Sequence, residues 1–363
     1  MSTDTAEPVH ISADALTDVV THIFEHAGCS SNESRRVASN LVEANLTGHD
    51  SHGVVRVQRY VHYVIDKVVH LDQEPSPLVD SGPLLLLDGK FGFGQTVGPL
   101  AVDQGIERCR EHHVAVVGLR HAGHLGRIGA FAEQAAAAGL VSIHIVNVAN
   151  SRLVAPFGSS ARRMGTNPYA FGVPRPDQRP VIHDFATSIV AEGKTAVAVQ
   201  GGPPVPDDAL VGPEGITGDP LVLYGQVTPG ERPASLAGPG ALRAMGNHKG
   251  SGLAVMCELL AGALTGSGMA GPEQVPFCNG MLSIYIDPKR IDHDNSFDTD
   301  VSAFVDWFHE AAPIDADEPV LMPGDKEHQR RTDRTANGLD LPPNLWKSIV
   351  AAGELVGAVV AAD

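Results

Sequence analysis

One polar segment near the N-terminus combines an imidazole, a guanidinium and a phenol at the spacing of one helical turn. His52, Arg56 and Tyr60 are four residues apart, so on a helix they would form a single polar row. His52 can donate or accept a proton near neutral pH, and Arg56 can hold a carboxylate through paired hydrogen bonds. Ser51 could orient the imidazole or relay its proton. The row is thus predicted to bind and protonate an oxoacid; the alternative is a capped helix start with a solvated face.

Composition indicates a globular protein and narrows its partners. The chain has 363 residues, with 43% hydrophobic and 19% charged side chains, enough for two or three domains. The net charge of −17 opposes binding to nucleic acid or to anionic membranes. The residues Met1–Pro8 lack the features of a secretion signal, and no run of about eighteen apolar residues could span a bilayer. The four cysteines form no CxxC pair, so we expect neither a zinc knuckle nor a disulfide scaffold, and a cytoplasmic location.

The hydrophobic pattern changes along the chain. Apolar residues at helical spacing predict helices over Ala13–Ala27 and Ser34–Leu46, followed by a proline-containing link over Glu74–Pro83. From Leu84 to Val199 strand-like and helical runs alternate, which predicts a mixed α/β sheet. The glycine- and proline-rich residues Gly201–Gly240 hold only short strand candidates, which predicts a long excursion over the surface.

The C-terminal third returns to helical patterns. Residues Gly250–Leu264 form an apolar run in which Glu258 is the only charge, so we expect a helix with a buried carboxylate. A strand is predicted over Met281–Ile286, and helices over Ser302–Ala311 and Leu345–Val360.

A glycine-rich segment, Gly92–Gly98, follows a predicted strand and resembles a dinucleotide-binding fingerprint. Its last glycine is one position late, and the acidic residue expected about twenty positions further on is missing, because the strand Val114–Leu119 leads into Arg120 and His121. We therefore interpret the segment as a glycine-rich turn rather than a Rossmann site.

Other motifs are individually weak. The segment His121–Gly129 joins a strand to a helix, where free backbone N–H groups favour an anion, or where a structural turn is simply capped. The paired histidines His49/His52 and His121/His124 suggest a metal, but the carboxylate ligands and the HExxH pattern of such sites are missing. Turns over 164–168 and 184–188, and glycine-flanked lysines at 194 and 249, could bind polar ligand groups.

Seven motifs, in this order, resemble the malate/L-lactate dehydrogenase type 2 family, most of all its hydroxycarboxylate dehydrogenase branch. The resemblance extends from about Ile11 to Asn337, and the motifs are SHGVVR, HLGRIG, APFG, GTNP, DFATS, HKGSGLAVMCELLAGALTG and MPGD. It implies a sulfolactate-dehydrogenase-like α/β fold, with a non-Rossmann mixed seven-stranded sheet, flanking helices and an N-terminal helical domain. The expected domains are residues 1–75, residues 76–325 with a helical insertion near 246–270, and a C-terminal helical segment, 326–363, packed on the N-terminal domain.

The resemblance also implies an activity. Family members are homodimers with active sites near the subunit interface, and they reduce 2-oxo acids to 2-hydroxy acids with NAD or NADP and without a metal. A cyclic imine acid is an alternative substrate. A non-redox binding protein on the same fold, or a metal hydrolase built on the paired histidines, are the other hypotheses.

Individual roles follow from the same resemblance. His52 would be the proton donor with Ser51 as its relay, although His124 holds that role in some members, and Arg56 would bind the carboxylate. Tyr60, Thr166, Glu192 and Gly193 would line the substrate. The residues expected at the cofactor are His124, Leu125, Gly126, Arg127, Ile128, Asp184, Phe185, Ala186, His248, Lys249, Asp300, Val301, Ser302, Gly324 and Asp325.

Overall fold

A computed structural model describes residues 7–199, 201–227, 235–272 and 275–360. Its strands, in chain order, are β1 Val9–Ile11, β2 Ser76–Ser81, β3 Leu84–Asp88, β4 Val114–Ala122, β5 Val141–Val148, β6 Val154–Ala155, β7 Pro168–Val173, β8 Val181–Ala186, β9 Leu210–Gly212, β10 Gly215–Thr217, β11 Ala241–Arg243, β12 Asn279–Ile286 and β13 Leu339–Leu341. The α-helices are α1 Ala13–His26, α2 Ser31–Leu46, α3 Val57–Ile65, α4 Gly94–His112, α5 Gly129–Ala137, α6 Glu192–Val199, α7 Leu221–Tyr224, α8 His248–Cys257, α9 Pro288–Ile291, α10 Phe297–His309, α11 Asp325–Asn337 and α12 Pro343–Val356.

The two ends of the chain share one hydrophobic core. Ser12 caps α1 by accepting the N–H of Ala15, and the apolar stripe of α1 packs against α2 and α12. Strand β1 pairs antiparallel with β13, which ties the residues before α1 to those before α12. The helices predicted over 13–27 and 34–46 are confirmed within a few residues.

The large sheet has seven strands in the order β2-β3-β4-β12-β5-β7-β8. Only the β3–β4 pair is parallel, and the other five pairs are antiparallel. Helices α4 and α5 cover one face, and α8 with its π-helical continuation Glu258–Ala263 covers the other, because alternate residues of each strand face opposite cores. The predicted seven-stranded mixed sheet is confirmed, and its topology is not that of a Rossmann domain.

Two local predictions were wrong. The link over 74–83 contains β2, which forms a hairpin with β3. The described part of Gly201–Gly240 is not merely a surface excursion, because β9 and β10 join β11 and β6 in a second, four-stranded sheet. That sheet has its own core, which includes the buried Leu210, Leu223 and Leu242. Arg162 secures it by donating hydrogen bonds to four backbone carbonyls between 223 and 240.

Candidate active site

The segment that carries Ser51 and His52 is a pair of short 3-10 turns, Asp50–His52 and Val54–Arg56, and α3 begins only at Val57. The prediction of one continuous helical row was therefore wrong. Asn45 on α2 causes the break: its Oδ1 accepts the N–H of Val54 at 2.8 Å, and its Nδ2 donates to Asp50 at 2.7 Å. A Cβ on Gly53 would lie 2.1 Å from that Oδ1, so glycine permits this close approach.

The turns nevertheless bring the predicted polar groups together. Arg56 Nε donates to the backbone oxygen of Ser51 at 2.7 Å, which fixes the guanidinium beside the turn. Ser51 Oγ lies 3.1 Å from His52 Nδ1, so the hydroxyl is within hydrogen-bonding distance of the imidazole. Ser51, His52 and Arg56 are each partly buried. The predicted serine–histidine–arginine group is thus present, assembled by turns rather than by a helix.

His124 completes the cluster from the end of β4. Its ring stacks on that of His52 with a centroid distance of 5.7 Å and an interplanar angle of 7°. Tyr60, on α3, places its hydroxyl 2.6 Å from His124 Nδ1. Gln95, on α4, donates to the Tyr60 hydroxyl and to the backbone oxygen of His124. The sequence analysis missed Gln95, which lies inside the glycine-rich segment that was interpreted only as a turn.

Both stacked imidazoles are neutral at pH 7. Desolvation, followed by the positive charge of Arg56, lowers the pKa of His52 to about 3. The same two causes hold the pKa of His124 well below its ordinary value. An anion bound by Arg56 would offset the second cause and make either imidazole easier to protonate. The electrostatics therefore couple proton uptake to the binding of an anion.

Helix α6 packs against the turn that carries Ser51. A Cβ on Gly193 would lie 3.0 Å from that of Ser51, so the absence of a side chain allows the approach. Glu192 Oε1 accepts a hydrogen bond from the Tyr224 hydroxyl at 2.9 Å, and that hydroxyl is also 2.7 Å from Thr195 Oγ1. The structure thus brings Gly193 to Ser51, and it adds Tyr224 as a support for α6 that the sequence pattern did not reveal.

The turn that contains Thr166 is held by backbone and buried polar contacts. The backbone oxygen of Thr166 accepts both the N–H and the hydroxyl of Thr187, at 2.9 and 3.0 Å. The oxygen of Thr187 in turn accepts the N–H of Met245 at 2.9 Å. The turn at 164–168 is therefore connected, through the residues after β8, to the segment that leads into α8.

The residues expected at the cofactor fall into three groups, of which the first adjoins His124. Asp184 lies at the end of β8, and its Oδ2 accepts the N–H of Gly129 at 2.8 Å. Burial raises the pKa of this carboxyl, while the charge of Arg127 opposes the change. Arg127 is buried and forms an ion pair with Glu133. Leu125 and Ile128 are buried in the core on this face of the sheet, whereas Phe185 stacks with Tyr169 and His183 and packs against the core on the other face.

The second group lies at the start of α8. His248 and Lys249 are exposed, and the ring of His248 packs edge-on against Phe157 at 6.0 Å. Beside them is an open cavity of about 390 Å³, lined by residues 155–160, by the turn between β9 and β10, and by Arg243 and Asn247.

The third group lies at the outer edge of the large sheet. Asp300 is exposed on α10 with Val301 and Ser302, and its carboxylate accepts the hydroxyl of Ser296 at 2.6 Å. Gly324 adopts a φ of +96°, and a Cβ there would lie 3.3 Å from the backbone oxygen of Ile182 on β8. Asp325 forms ion pairs with His309 at 2.8 Å and with Arg179 at 3.2 Å.

Helix α11 runs from the outer edge of the large sheet to the 3-10 turn Asp50–His52. Arg334 donates to Asp50 Oδ1 at 2.8 Å and to the backbone oxygen of Asn45. One turn earlier, Arg331 pairs with Glu43 and Glu133. Because Asp50 begins the 3-10 turn that ends at His52, this helix supports the imidazole from outside the cluster. The sequence analysis did not identify this contact.

Two observations concern metals and membranes. Within residues 7–199, 201–227, 235–272 and 275–360, no three His, Cys, Asp or Glu side chains meet in an arrangement that could hold a metal ion. In the same ranges, no helix has the length and apolar character needed to cross a membrane.

The overall fold is shared with solved dehydrogenase structures. The structure of sulfolactate dehydrogenase from Methanocaldococcus jannaschii superposes with a TM-score of 0.82 at 25% identity, covering 96% of this chain and 98% of that one. The fold is therefore sulfolactate-dehydrogenase-like, as predicted.

The family follows from sequence comparison. The model of the malate/L-lactate dehydrogenase family matches residues 11–350, and the chain belongs to that family. Hydroxycarboxylate dehydrogenase B of Escherichia coli K12 is 36% identical over 351 residues, which is 95% of this chain and 94% of the relative. Delta(1)-pyrroline-2-carboxylate reductase of Ancylobacter novellus is 31% identical over 359 residues, 96% and 98% of the two chains. The family assignment made from the seven motifs is confirmed, and the protein is an oxidoreductase.

Proposed function

We propose that the protein reversibly reduces a 2-oxo acid to a 2-hydroxy acid with NADH or NADPH, at the site formed by Ser51, His52, Arg56 and His124. The stacking of two neutral imidazoles within one cluster that also holds an arginine is the observation that carries the proposal. The names of the family's relatives, hydroxycarboxylate dehydrogenase B among them, support it.

Arg56 binds the substrate carboxylate in this proposal. A guanidinium holds a carboxylate through charge-assisted hydrogen bonds, and Arg56 is already oriented by its Nε bond to Ser51. Thr166, Glu192 and Gly193 line the substrate, whereas Tyr60, which the family resemblance also placed there, is buried and contacts His124 through its hydroxyl. Gly193 contacts Ser51, which supports this placement for α6.

The two imidazoles perform the proton transfer. When the carboxylate pairs with Arg56, it reduces the repulsion that this arginine exerts on His52 and His124. His52, with Ser51 as its relay, or His124 then donates the proton that the carbonyl oxygen acquires on reduction. The bound cofactor supplies the hydride, and the chain supplies orientation and charge.

The residues near α8 fit part of a dinucleotide. The cavity of about 390 Å³ lies between a glycine- and serine-containing loop, Gly158–Ser160, and Asn247, and this volume is within the usual range for a ligand pocket. Lys249 is exposed close by in sequence and suits a phosphate. His248 and the groups around Asp184 and Gly324 complete the proposed cofactor site.

The choice between NAD and NADP depends on a basic side chain near the adenosine ribose. Arg162 donates to backbone carbonyls and Arg127 pairs with Glu133, so both side chains are already engaged. Arg152 and Arg163 are exposed and are the candidate partners for a 2′-phosphate.

We further propose a cytoplasmic homodimer with the active site near the subunit interface. The outer face of α8 and its π-helical continuation exposes Met256, Leu259 and Leu264, with 43%, 45% and 65% of their surface accessible. Contiguous apolar surface of this kind is typical of protein interfaces. The four cysteines are free and buried, which fits a reducing compartment.

A spectrophotometric assay of NADH and NADPH oxidation over a panel of 2-oxo acids tests the proposal. We expect consumption with at least one acid, a loss of about a hundredfold in kcat/KM for Arg56→Met, about 3 kcal/mol of transition-state binding, and wild-type activity for Arg35→Met on the surface of α2. If no acid is reduced, or if Arg56→Met and His52→Asn both retain full activity, the proposal fails.

A cyclic imine acid is the second candidate substrate. The 31% identity to a Delta(1)-pyrroline-2-carboxylate reductase favours it. Arg56 would bind the same carboxylate, and the proton would go to the imine nitrogen rather than to a carbonyl oxygen. The test is to add cyclic imine acids to the same panel. Reduction of these compounds, but of no 2-oxo acid, would select this function.

A further inference from the structure

The glycine-rich segment Gly92–Gly98 is packed tightly against the backbone of Gly123 and His124. The N–H of Gly123 donates to the oxygen of Gly92 at 2.7 Å. A Cβ on Gly94 would lie only 2.3 Å from the backbone oxygen of His124. These glycines therefore allow the first turn of α4 to rest on the backbone that carries the imidazole.

Gln95 occupies the centre of this contact. Its side chain is 1% exposed, and its Nε2 donates to the backbone oxygen of His124 at 2.9 Å and to the Tyr60 hydroxyl at 3.1 Å. A carbonyl oxygen only accepts hydrogen bonds, so the bond to His124 decides which end of the amide faces Tyr60. An N–H group, not an oxygen, therefore points at the hydroxyl.

The direction of the next hydrogen bond follows. Tyr60 is 1% exposed, and burial raises the pKa of its hydroxyl, so this group stays protonated. In the described part of the chain its hydroxyl contacts only Gln95 Nε2 and His124 Nδ1. If Nδ1 carried a proton, the hydroxyl would accept from both neighbours, and its own hydrogen would be buried without an acceptor, which is costly. The hydroxyl therefore donates to Nδ1.

We propose that Gln95 is a positioning residue that, through Tyr60, holds His124 in the tautomer with its proton on Nε2. Nδ1 then accepts from Tyr60, and the N–H on the other side of the ring is the hydrogen-bond donor available to a substrate oxygen. This inference rests on the proposed function only for its consequence in catalysis, because the tautomer is a property of the protein without substrate.

Long-range proton–nitrogen NMR spectra of protein with isotopically labelled histidine test the tautomer directly. The His124 signals are assigned by their loss in His124→Gln. In the wild-type protein at pH 7 we expect the neutral Nε2–H pattern. An Nδ1–H pattern or an imidazolium pattern would overturn the proposal, whether or not any 2-oxo acid is reduced.

The variant Gln95→Met removes both N–H donors at nearly constant volume. We expect His124 to show both tautomers, and kcat to fall about tenfold with KM changed by less than about twofold, since outer-shell partners have effects of this order. The matched control is Gln134→Met. Gln134 lies on α5, and its Nε2 also donates two hydrogen bonds, to the Pro99 oxygen and to Asp103 on α4, the helix that carries Gln95. Neither the spectrum nor kcat changes in that control.

Unchanged His124 signals and an unchanged kcat in folded Gln95→Met would refute the role of Gln95. If that variant does not fold by circular dichroism, Tyr60→Phe takes its place, and we expect loss of the single Nε2–H pattern there. Retention of that pattern in Tyr60→Phe would contradict the proposal. Absence of any 2-oxo acid reduction by the wild-type protein, with the Nε2–H pattern present, would instead refute the proposed function.

Discussion

The buried carboxylate of Glu258 offers a sharp test of how the Thr166 turn is supported. Glu258 is 7% exposed and lies at the start of the π-helical segment. Its Oε1 accepts from Asn167 Nδ2 at 2.8 Å and from the Gly165 N–H at 3.5 Å. Its Oε2 accepts from the Ala270 N–H at 3.0 Å and from Asn147 Nδ2 at 3.3 Å. All four neighbours are donors, so the site requires an acceptor at both oxygen positions.

Glu258→Gln keeps the volume but replaces one oxygen with a donor. Whichever way the new amide turns, its NH₂ group faces two N–H donors. Asn167 cannot invert its own amide without cost, because its Nδ2 also donates to the Ala254 oxygen at 3.0 Å. With two buried bonds to a charged acceptor lost, we expect the free energy of unfolding to fall by about 3 kcal/mol.

Chemical denaturation with urea, followed by circular dichroism, measures this change. Glu354→Gln on the exposed surface of α12 is the control, since it removes the same charge without a buried partner. We also expect Glu258→Gln to reduce kcat/KM, because its partners flank Thr166. A loss of less than about 1 kcal/mol relative to the control would refute the reasoning, since that is what a single ordinary hydrogen bond contributes.

Three further predictions concern Arg334, Gly193 and the buried His144. Arg334→Met removes the contact with Asp50, and we expect kcat to fall about tenfold. If the effects of Arg334→Met and Asp50→Asn on kcat add in a double-mutant cycle, Arg334 does not act through Asp50 and the prediction is contradicted. Gly193→Ala places a methyl group 3.0 Å from Ser51, so kcat/KM falls about tenfold although the melting temperature does not, because alanine favours the helix; unchanged kinetics would refute the contact. Burial lowers the pKa of His144 to about 3, so below about pH 6 the unfolded chain binds this proton and the native state does not, and His144 alone lowers stability by at most about 1.4 kcal/mol per pH unit as the pH drops. His52 and His124 act in the same direction, so in urea titrations His144→Gln reduces the slope by one proton without removing it, and an equal slope would contradict the prediction.

Elements with a strong hydrophobic period were predictable from the sequence. In α1 the apolar side chains recur at helical spacing, and in β4, β5 and β12 they form short apolar runs typical of buried strands. The helices and the mixed sheet therefore follow from the local sequence pattern. The burial of Glu258 followed from its position as the one charge in an apolar run.

The elements that were not predicted from the sequence depend on residues that are distant along the chain. The 3-10 turns at Asp50–Arg56 exist because Asn45 captures the Val54 N–H from the preceding helix, and no local spacing reveals that bond. The small sheet joins β6 to β11 across more than eighty positions. Its strands are two or three residues long, too short for a periodicity to appear.

The candidate site shows the same division. His52, Arg56, Tyr60 and His124 were chosen for their chemistry and their motifs, and the structure brings their segments together. Gln95 was not predicted from the sequence, because a glycine-rich segment after a strand first suggests a phosphate-binding loop. In the structure the glycines around Gln95 allow close packing of the backbone instead. The contact of Gln95 with the backbone oxygen of His124 becomes visible only in the three-dimensional structure.

Transfer of deuterium to a 2-oxo acid from a reduced nicotinamide that carries deuterium at both C4 positions tests the central claim most directly. With the wild-type protein and the acid that supports turnover, we predict a 2-hydroxy acid that carries one deuterium on the carbon that bore the oxo group, as shown by mass spectrometry. With Arg56→Met, the labelled product should fall in proportion to kcat/KM. Oxidation of the nicotinamide without deuterium in the product, or an equal yield from Arg56→Met, would contradict the account.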